Sequence, residues 1–543
     1  NPVRLTFYNH QANRIFYFLN RFTVSYPRLF IADADQLIFD GDPASPRRYT
    51  IENFSQGEPT APVVWEIGDR LQPRAITAVT VEGDPGPVDP SYRLFLPVIR
   101  AGSGQLTAVP QATGDYGYSF SSDIAGTRFI ATNHAAVKTP ASIERYDAPS
   151  LDPPSGAEWL VITHPAFMSA AQSLAAHRAH PDFGGLGTAV VSIEDVINQY
   201  GHGLPLPDAI RDYLSHALYT WDPAPQYVLL LGDATTNPHH ATCDGPNAAY
   251  TLCNYWSDDS QITYVPTHLL FKDRFQGHIP TDYPNVLLAG DDLLPDMAIG
   301  RFAVQTAQEA SDIVAKIVAY ETGHLTPGPV QNTLVFLSDD PDSGGNFTAT
   351  SAAIAAFIPD SYQVELVARA GHTAAEVEAQ RTAVRDLIHE PAGATLMNYR
   401  GHGSIFTWGD NLFNANDPTR WPWPGVAPWL AGEPLVLLSL DCLDGNFIYP
   451  GQPGLGETFH ALPGTGTVAH WSSTGLGYTF EHSVLNGAFF NAIFEEGFLP
   501  IGDAINYAKV QYALTTYHDS ELWSFTLQGD PAMRLWRLDL AAN

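Results

Sequence analysis

The first 150 residues carry short apolar or alternating runs at 3–8, 14–18, 63–67, 75–81, 92–98 and 128–131. Gly, Pro, Asp and Ser punctuate them and no helical period is sustained, which predicts a β-sandwich-like N-terminal domain over residues 1–150. The stretch Tyr146-Asp-Ala-Pro-Ser-Leu-Asp-Pro-Pro-Ser-Gly156 reads as a Pro-rich linker. After it, apolar runs at 159–163, 189–192 and 227–233 alternate with helical stretches at 170–179 and 208–221. The second helix places Ile210, Tyr213, Leu214, Ala217, Leu218 and Trp221 on one face. A helix over 308–321 completes an α/β subdomain at 157–325, and Thr326-Pro-Gly-Pro-Val330 interrupts the chain. Residues 331–537 repeat the alternation, with strands at 333–338, 394–398, 435–440 and 467–471 and helices at 374–389, 482–496 and 501–516. Strands and helices in alternation predict βαβ units and a parallel sheet. The expected fold class is α/β, two subdomains behind a β-rich domain.

Composition narrows the partners. The 543 residues include 45% hydrophobic and 12% aromatic positions, enough for a large core and incompatible with disorder. Against 58 acidic residues stand 27 basic ones, a net charge of −31, and lysine is confined to Lys138, Lys272, Lys316 and Lys509. So acidic a chain repels phosphate backbones and anionic lipid, which argues against nucleic acid and membrane surfaces as partners. No uncharged apolar run reaches the roughly 18 residues that a membrane span needs. The absence of Met at Asn1 points to a processed chain.

Three cysteines remain. Cys243 and Cys253 lie in a polar loop with His239 and His240. Their proximity favours a small disulfide loop and hence an oxidising compartment, while a metal clip using the same histidines is the alternative. Cys442 has neither partner nor similar context, which marks it as a candidate reactive thiol.

In open α/β sheets, reactive groups gather beyond the carboxyl ends of the strands. Ala394-Thr-Leu-Met-Asn-Tyr-Arg-Gly-His402-Gly-Ser and Leu435-Val-Leu-Leu-Ser-Leu-Asp-Cys442-Leu-Asp-Gly-Asn deliver an imidazole and a thiol there. Imidazole can take the thiol proton and generate the nucleophilic thiolate. The Gly403 N–H can join that of Cys442 in an oxyanion hole. Against this stands the plain reading of Cys442 as a small core residue and His402 as one of many structural histidines. The other Gly-His-Gly, at 201–203, precedes a helix instead of following a strand and reads as loop.

The segments around His402 and Cys442 resemble the active-site segments of gingipain-type cysteine peptidases, caspase-fold enzymes that also include the type IX secretion sortase. Asp208-Ala-Ile-Arg-Asp-Tyr-Leu, Tyr227-Val-Leu-Leu-Leu-Gly-Asp, Leu294-Pro-Asp-Met-Ala-Ile-Gly-Arg-Phe and Gln528-Gly-Asp-Pro extend the likeness over about 157–537. The resemblance implies a secreted or cell-surface cysteine endopeptidase acting on protein or peptide substrates. It implies a His402–Cys442 dyad assisted by an acid after the strand 333–338, best matched by Asp340 with Asp339 as runner-up. It needs no cofactor for the chemistry. The carboxylates of Asp339, Asp340 and Asp342, beside two glycines, leave structural calcium as another use of this loop. By the same resemblance, Arg400, Leu440 and either Tyr478 or Phe480 wall the pocket before the scissile bond. The loop 344–350 lacks the carboxylate that Arg-specific relatives use, so cleavage after Asp, Glu or a small polar residue is expected over Arg or Lys. Asp233, Asp296, Arg301, Glu457 and Asp530 read as structural. Sortase-like transpeptidation and a non-catalytic scaffold or adhesin are the alternatives. A metal-dependent hydrolase lacks any H-E-x-x-H spacing.

Overall fold

The computed structural model describes residues 36–40, 48–54, 63–67, 74–76, 80–82, 116–122, 125–132, 145–235, 262–273, 276–324, 333–390, 393–415, 432–449, 452–516 and 518–535. The runs at 3–8, 14–18 and 92–98, together with His239, His240, Cys243 and Cys253, lie outside the described residues. The chain divides into two units at Tyr146.

The first unit is built from β1 (Gln36–Asp40), β2 (Arg48–Phe54), β3 (Val63–Glu66), β4 (Arg74–Ile76), β5 (Thr80–Glu82), β6 (Tyr116–Ser121) and β7 (Arg128–Thr132). These form two antiparallel sheets, ordered β1-β7-β3-β4 and β2-β6-β5. Leu37, Val64, Phe129 and Ala131 from one sheet share a core with Tyr49, Ile51 and Phe120 from the other. That is the sandwich its alternating pattern predicts. The run 75–81 contributes to two strands, β4 and β5, one in each sheet.

The second unit carries a ten-stranded sheet. Its first strands are β8 (Trp159–Thr163), β9 (Thr188–Ser192) and β10 (Tyr227–Leu231). A hairpin of β11 (His268–Asp273) and β12 (Gly277–Thr281) stands apart, and β13 (Ala298–Phe302) rejoins the sheet. Then follow β14 (Thr333–Ser338), β15 (Gln363–Ala368), β16 (Leu396–Arg400), β17 (Leu435–Leu440), β18 (Thr467–Ser473) and β19 (Phe525–Gln528). The helices are α1 (Met168–Ala179), α2 (Ile193–Tyr200), α3 (Asp208–Thr220), α4 (Ala307–His324), α5 (Phe347–Ala355), α6 (Ala374–His389), α7 (Leu455–Ala461), α8 (Thr479–Phe494), α9 (Ile501–Thr515) and α10 (Ser520–Ser524). Every residue of β8, β10, β14, β16, β17 and β18 is buried. This is why they read as unbroken apolar runs. In β14, Leu334 and Phe336 enter one core cluster while Val335 and Leu337 enter the other, so helices cover both faces. Each such side chain contributes about 1.5–3 kcal/mol on burial.

The strand order is β15-β14-β16-β17-β18-β19-β13-β10-β8-β9. Both halves of the α/β region therefore share one sheet. Neighbours are parallel throughout, with one exception: β19 is antiparallel to β18 while it runs parallel to β13. The two blocks of five strands thus run in opposite senses, and their carboxyl ends face opposite edges. The motif ending at Gly232-Asp233 belongs to one edge, and His402 and Cys442 to the other.

Buried ion pairs tie the first block. Arg301 bonds Asp282 at 2.7 and 2.8 Å and the carbonyls of Gly232, Val265 and Pro266. Arg178 pairs with Glu321 and Asp530, and the Glu457 carboxylate accepts the Gly454 N–H at the start of α7.

Candidate active site

Arg400 and Leu440 are register partners in the parallel pair β16/β17. His402 and Cys442 each follow two residues later, so they leave adjacent strands side by side at one carboxyl edge.

The His402 backbone is fully held. Its N–H donates to Asp339 Oδ2 at 3.0 Å, and its carbonyl accepts from Tyr399 Oη and from the Gly409 N–H, each at 2.8 Å. Tyr399 stacks on Trp408 at 4.0 Å, and burial keeps its phenol protonated by raising its pKa well above the usual value. Gly401 is required here, because a Cβ would lie 2.6 Å from Tyr399 Oη and 2.8 Å from Asp339 Cβ. The imidazole is 55% exposed, sits edge-on to Phe347, and places Nε2 2.9 Å from Asp342 Oδ2. Asp342 Oδ1 accepts the Gly344 N–H at 2.7 Å. The His402 contact first, and the Gly344 N–H with it, hold the Asp342 carboxyl below its ordinary pKa.

Cys442 is a free thiol, partly buried, with Sγ 3.9 Å from the Gly477 carbonyl. Burial pushes its pKa up, and the charges of Glu521 and Asp444 push the same way against the Gly477 contact and Lys272. Leu443 turns the chain with φ +70°, its N–H held by the Gly475 carbonyl at 3.0 Å. In this resting arrangement the imidazole bonds Asp342 and the thiol bonds Gly477, not each other. Gly403 packs against the turn: a Cβ there would fall 2.7 Å from the Cys442 carbonyl and inside the contact radius of Asp441 Oδ2. The buried Asp441 carboxyl has its pKa raised well above the usual range by burial and then by Asp444.

Asp340, the acid expected by resemblance, bonds Arg369 at 2.6 Å and His372 at 3.0 Å, not the His402 ring. Asp339 turns inward to Arg369 and the His402 N–H. Asp342 is the carboxylate at the imidazole. Asp339 and Asp340 therefore share Arg369 while Asp342 alone meets the imidazole, and among the described residues the three aspartates do not converge as a cation cage. Asp340, His372 and Asp410 do approach one another, but the Arg369 guanidinium already bonds two of these three groups, Asp340 and Asp410.

Of the expected pocket residues, Leu440 is buried, whereas Tyr478 and Phe480 are each 73% exposed at the start of α8. Arg400 is fully buried. It donates to the Thr479 carbonyl, Ser483 Oγ and, at 3.5 Å, Asn486 Oδ1, all of them neutral, and burial lowers its pKa to about 10. Among the described residues no carboxylate pairs with it. Sequence reasoning missed Gly477 and Arg369. Asp342 was in view only as a calcium ligand.

Residues 152–536 match the family model of peptidase family C25. The chain belongs to peptidase family C25. This is the gingipain family of cysteine peptidases. Among solved structures, the Arg-specific cysteine proteinase gingipain R (RgpB) matches with a TM-score of 0.52 at 16% identity, over 71% of this chain and 80% of its own. The complex of Porphyromonas gingivalis RgpB pro- and mature domains matches with a TM-score of 0.51 at 17% identity, over 69% of this chain and 79% of that one. No curated protein sequence matches the chain. At such identities the structural likeness speaks for the fold, and it establishes the caspase-like α/β architecture for this C25 member. No helix among the described residues is long and apolar enough to cross a membrane.

Proposed function

We propose that this family C25 member is a secreted or cell-surface cysteine endopeptidase, with Cys442 as nucleophile and His402 as general acid and base. The observation that carries the reading is the register of β16 and β17, which delivers the imidazole and thiol from neighbouring strands to one edge. Because Nε2 faces Asp342, Nδ1 is the nitrogen left to take the thiol proton. The thiolate attacks the scissile carbonyl, and the imidazolium, steadied by Asp342, returns its proton to the departing amine. Water then adds to the thioester with His402 as base, releasing the acid and restoring the thiol. The N–H groups of Gly403 and Cys442 serve the oxyanion.

The preference for Asp, Glu or small polar residues before the scissile bond is supported by Arg400. Its buried charge has only neutral partners, a costly state that an incoming carboxylate would relieve. The test is a peptide library digested by wild type, Cys442→Ala and Arg400→Ala. Cleavage lost in the first variant, and an acidic preference lost in the second, is the expected result. Full activity of Cys442→Ala overturns the mechanism, and predominant cleavage after Arg or Lys overturns the pocket assignment.

A further inference from the structure

The guanidinium of Arg369, at the end of β15, is only 2% exposed. It reaches Asp339 Oδ1 at 2.6 Å, Asp340 Oδ1 at 2.6 Å, Asp410 Oδ2 at 2.9 Å and the Gly409 carbonyl at 3.0 Å. Its own N–H donates to the Ser338 carbonyl at 2.9 Å, fixing it to the end of β14. Two of these partners bear on the backbone of one residue, His402. Asp339 receives the His402 N–H, and Gly409 donates its N–H to the His402 carbonyl. A single planar cation therefore grips both arms of the frame that holds His402.

The turn it grips is strained. Asp410 and Asn411 have φ +51° and +57°, a region where L-residues persist only when surrounding contacts enforce it. Glycine at 409 is needed for the approach, because a Cβ there would lie 2.8 Å from Asp339 Oδ1 and closer still to its other oxygen. Three carboxylates and two left-handed residues would separate without the guanidinium. Lysine cannot replace it, since a single ammonium cannot fork onto Asp340 and the Gly409 carbonyl while also lying against Asp339 and Asp410.

We infer that Arg369 is a positioning residue for the general base, setting where the His402 imidazole stands through Asp339 and the 409–411 turn. The inference rests on the peptidase reading above and deepens it. Arg369 touches neither substrate nor the reacting atoms. Its effect is on the angle and reach of a ring that must meet Asp342 through Nε2 and the Cys442 thiol through Nδ1.

The test compares wild type, Arg369→Lys and Arg369→Gln, with active sites titrated by a peptidyl chloromethyl ketone so that turnover is expressed per competent Cys442. Misplacing a catalytic group by about 1 Å costs on the order of 100-fold, so kcat per titrated site should fall by about 10- to 100-fold with KM changed less than about twofold. A merely structural role would reduce the number of titratable sites and leave kcat per site unchanged, and that result overturns the inference. Should both Arg369 variants fail to fold, the isosteric Asp339→Asn severs the charged link to His402, and the same loss per site is expected. Unchanged per-site kcat in Asp339→Asn overturns it as well. Failure of the underlying reading looks different: wild type itself neither turns over peptides nor is titrated at Cys442, and the positioning role falls with it.

Discussion

Asp342→Asn is the most direct probe of the acid beside the base. The substitution keeps shape and removes one charge 2.9 Å from His402 Nε2. Two charges at about 4 Å interact by about 1 kcal/mol in water and about 4 kcal/mol at an effective dielectric near 20. Here the ring is 55% exposed and the carboxylate 34% exposed, so the water-like limit governs and the coupling falls within about 0.2–1 kcal/mol. The expected loss in kcat/KM is therefore about 1.4- to 5-fold, far from the roughly 10⁴-fold loss that follows neutralising a buried triad aspartate. The assay is kcat/KM on a fluorogenic peptide across pH, repeated at low and high salt. Salt near 1 M shortens the screening length to about 3 Å and should shrink the difference between variant and wild type. A loss beyond about 100-fold that ignores salt would refute the argument from exposure. No change at all, alongside a large loss in Asp340→Asn, would return the acid's role to Asp340.

Two further outcomes follow from the same geometry. Iodoacetamide should alkylate Cys442 of the substrate-free protein more slowly at pH 7 than it alkylates a free thiol, because burial raises its pKa; faster labelling, followed by mass spectrometry, would show that the imidazole already holds the thiol proton. His372 bonds Asp410 and is flanked by the charges of Asp340 and Asp410, which raise its pKa against the opposing Arg369. Its contribution to stability is thus full below the ordinary imidazole range and lost as pH rises through the elevated folded value. The melting temperature of His372→Gln should accordingly fall below wild type at pH 6 and match it at pH 9, and an equal gap at both would remove the clamp.

The fully buried strands were legible because burial on both faces writes itself as an apolar run: 159–163, 333–338 and 435–440 appear where the pattern put them, and the run 227–233 holds a strand at 227–231. What the pattern hid has physical causes. Strand β15 is an edge strand with exposed Gln363 and Leu366, so it shows neither a continuous run nor clean alternation. Strand β13 is Ala-Ile-Gly-Arg-Phe, its buried arginine satisfied by carbonyls and Asp282 that lie elsewhere in sequence. Strand β19 has only four residues. At the site, His402 and Cys442 could be found because each follows a buried strand by two residues. Which of three aspartates in one loop meets the imidazole could not, since Arg369 withdraws Asp339 and Asp340 and itself stands at the end of the strand that left no pattern.

The placement of β19 has a consequence for how this molecule comes to exist. A strand at 525–528 is wedged between neighbours at 298–302 and 467–473, the first more than two hundred positions earlier in the chain. Pairings of such sequence separation are entropically slow to form. During synthesis each block can gather its own parallel strands, since their partners emerge in close succession. Until residue 528 emerges, however, β18 and β13 each present a bare row of backbone donors and acceptors, open to mispairing with another chain. The ribosome thus releases the thiol and the imidazole well before it releases the strand that joins the sheet, and through that interval both edges stand unpaired. Chaperone demand and misassembly should concentrate there, and truncations ending just short of 525 should accumulate as soluble half-sheets only when something covers those two edges.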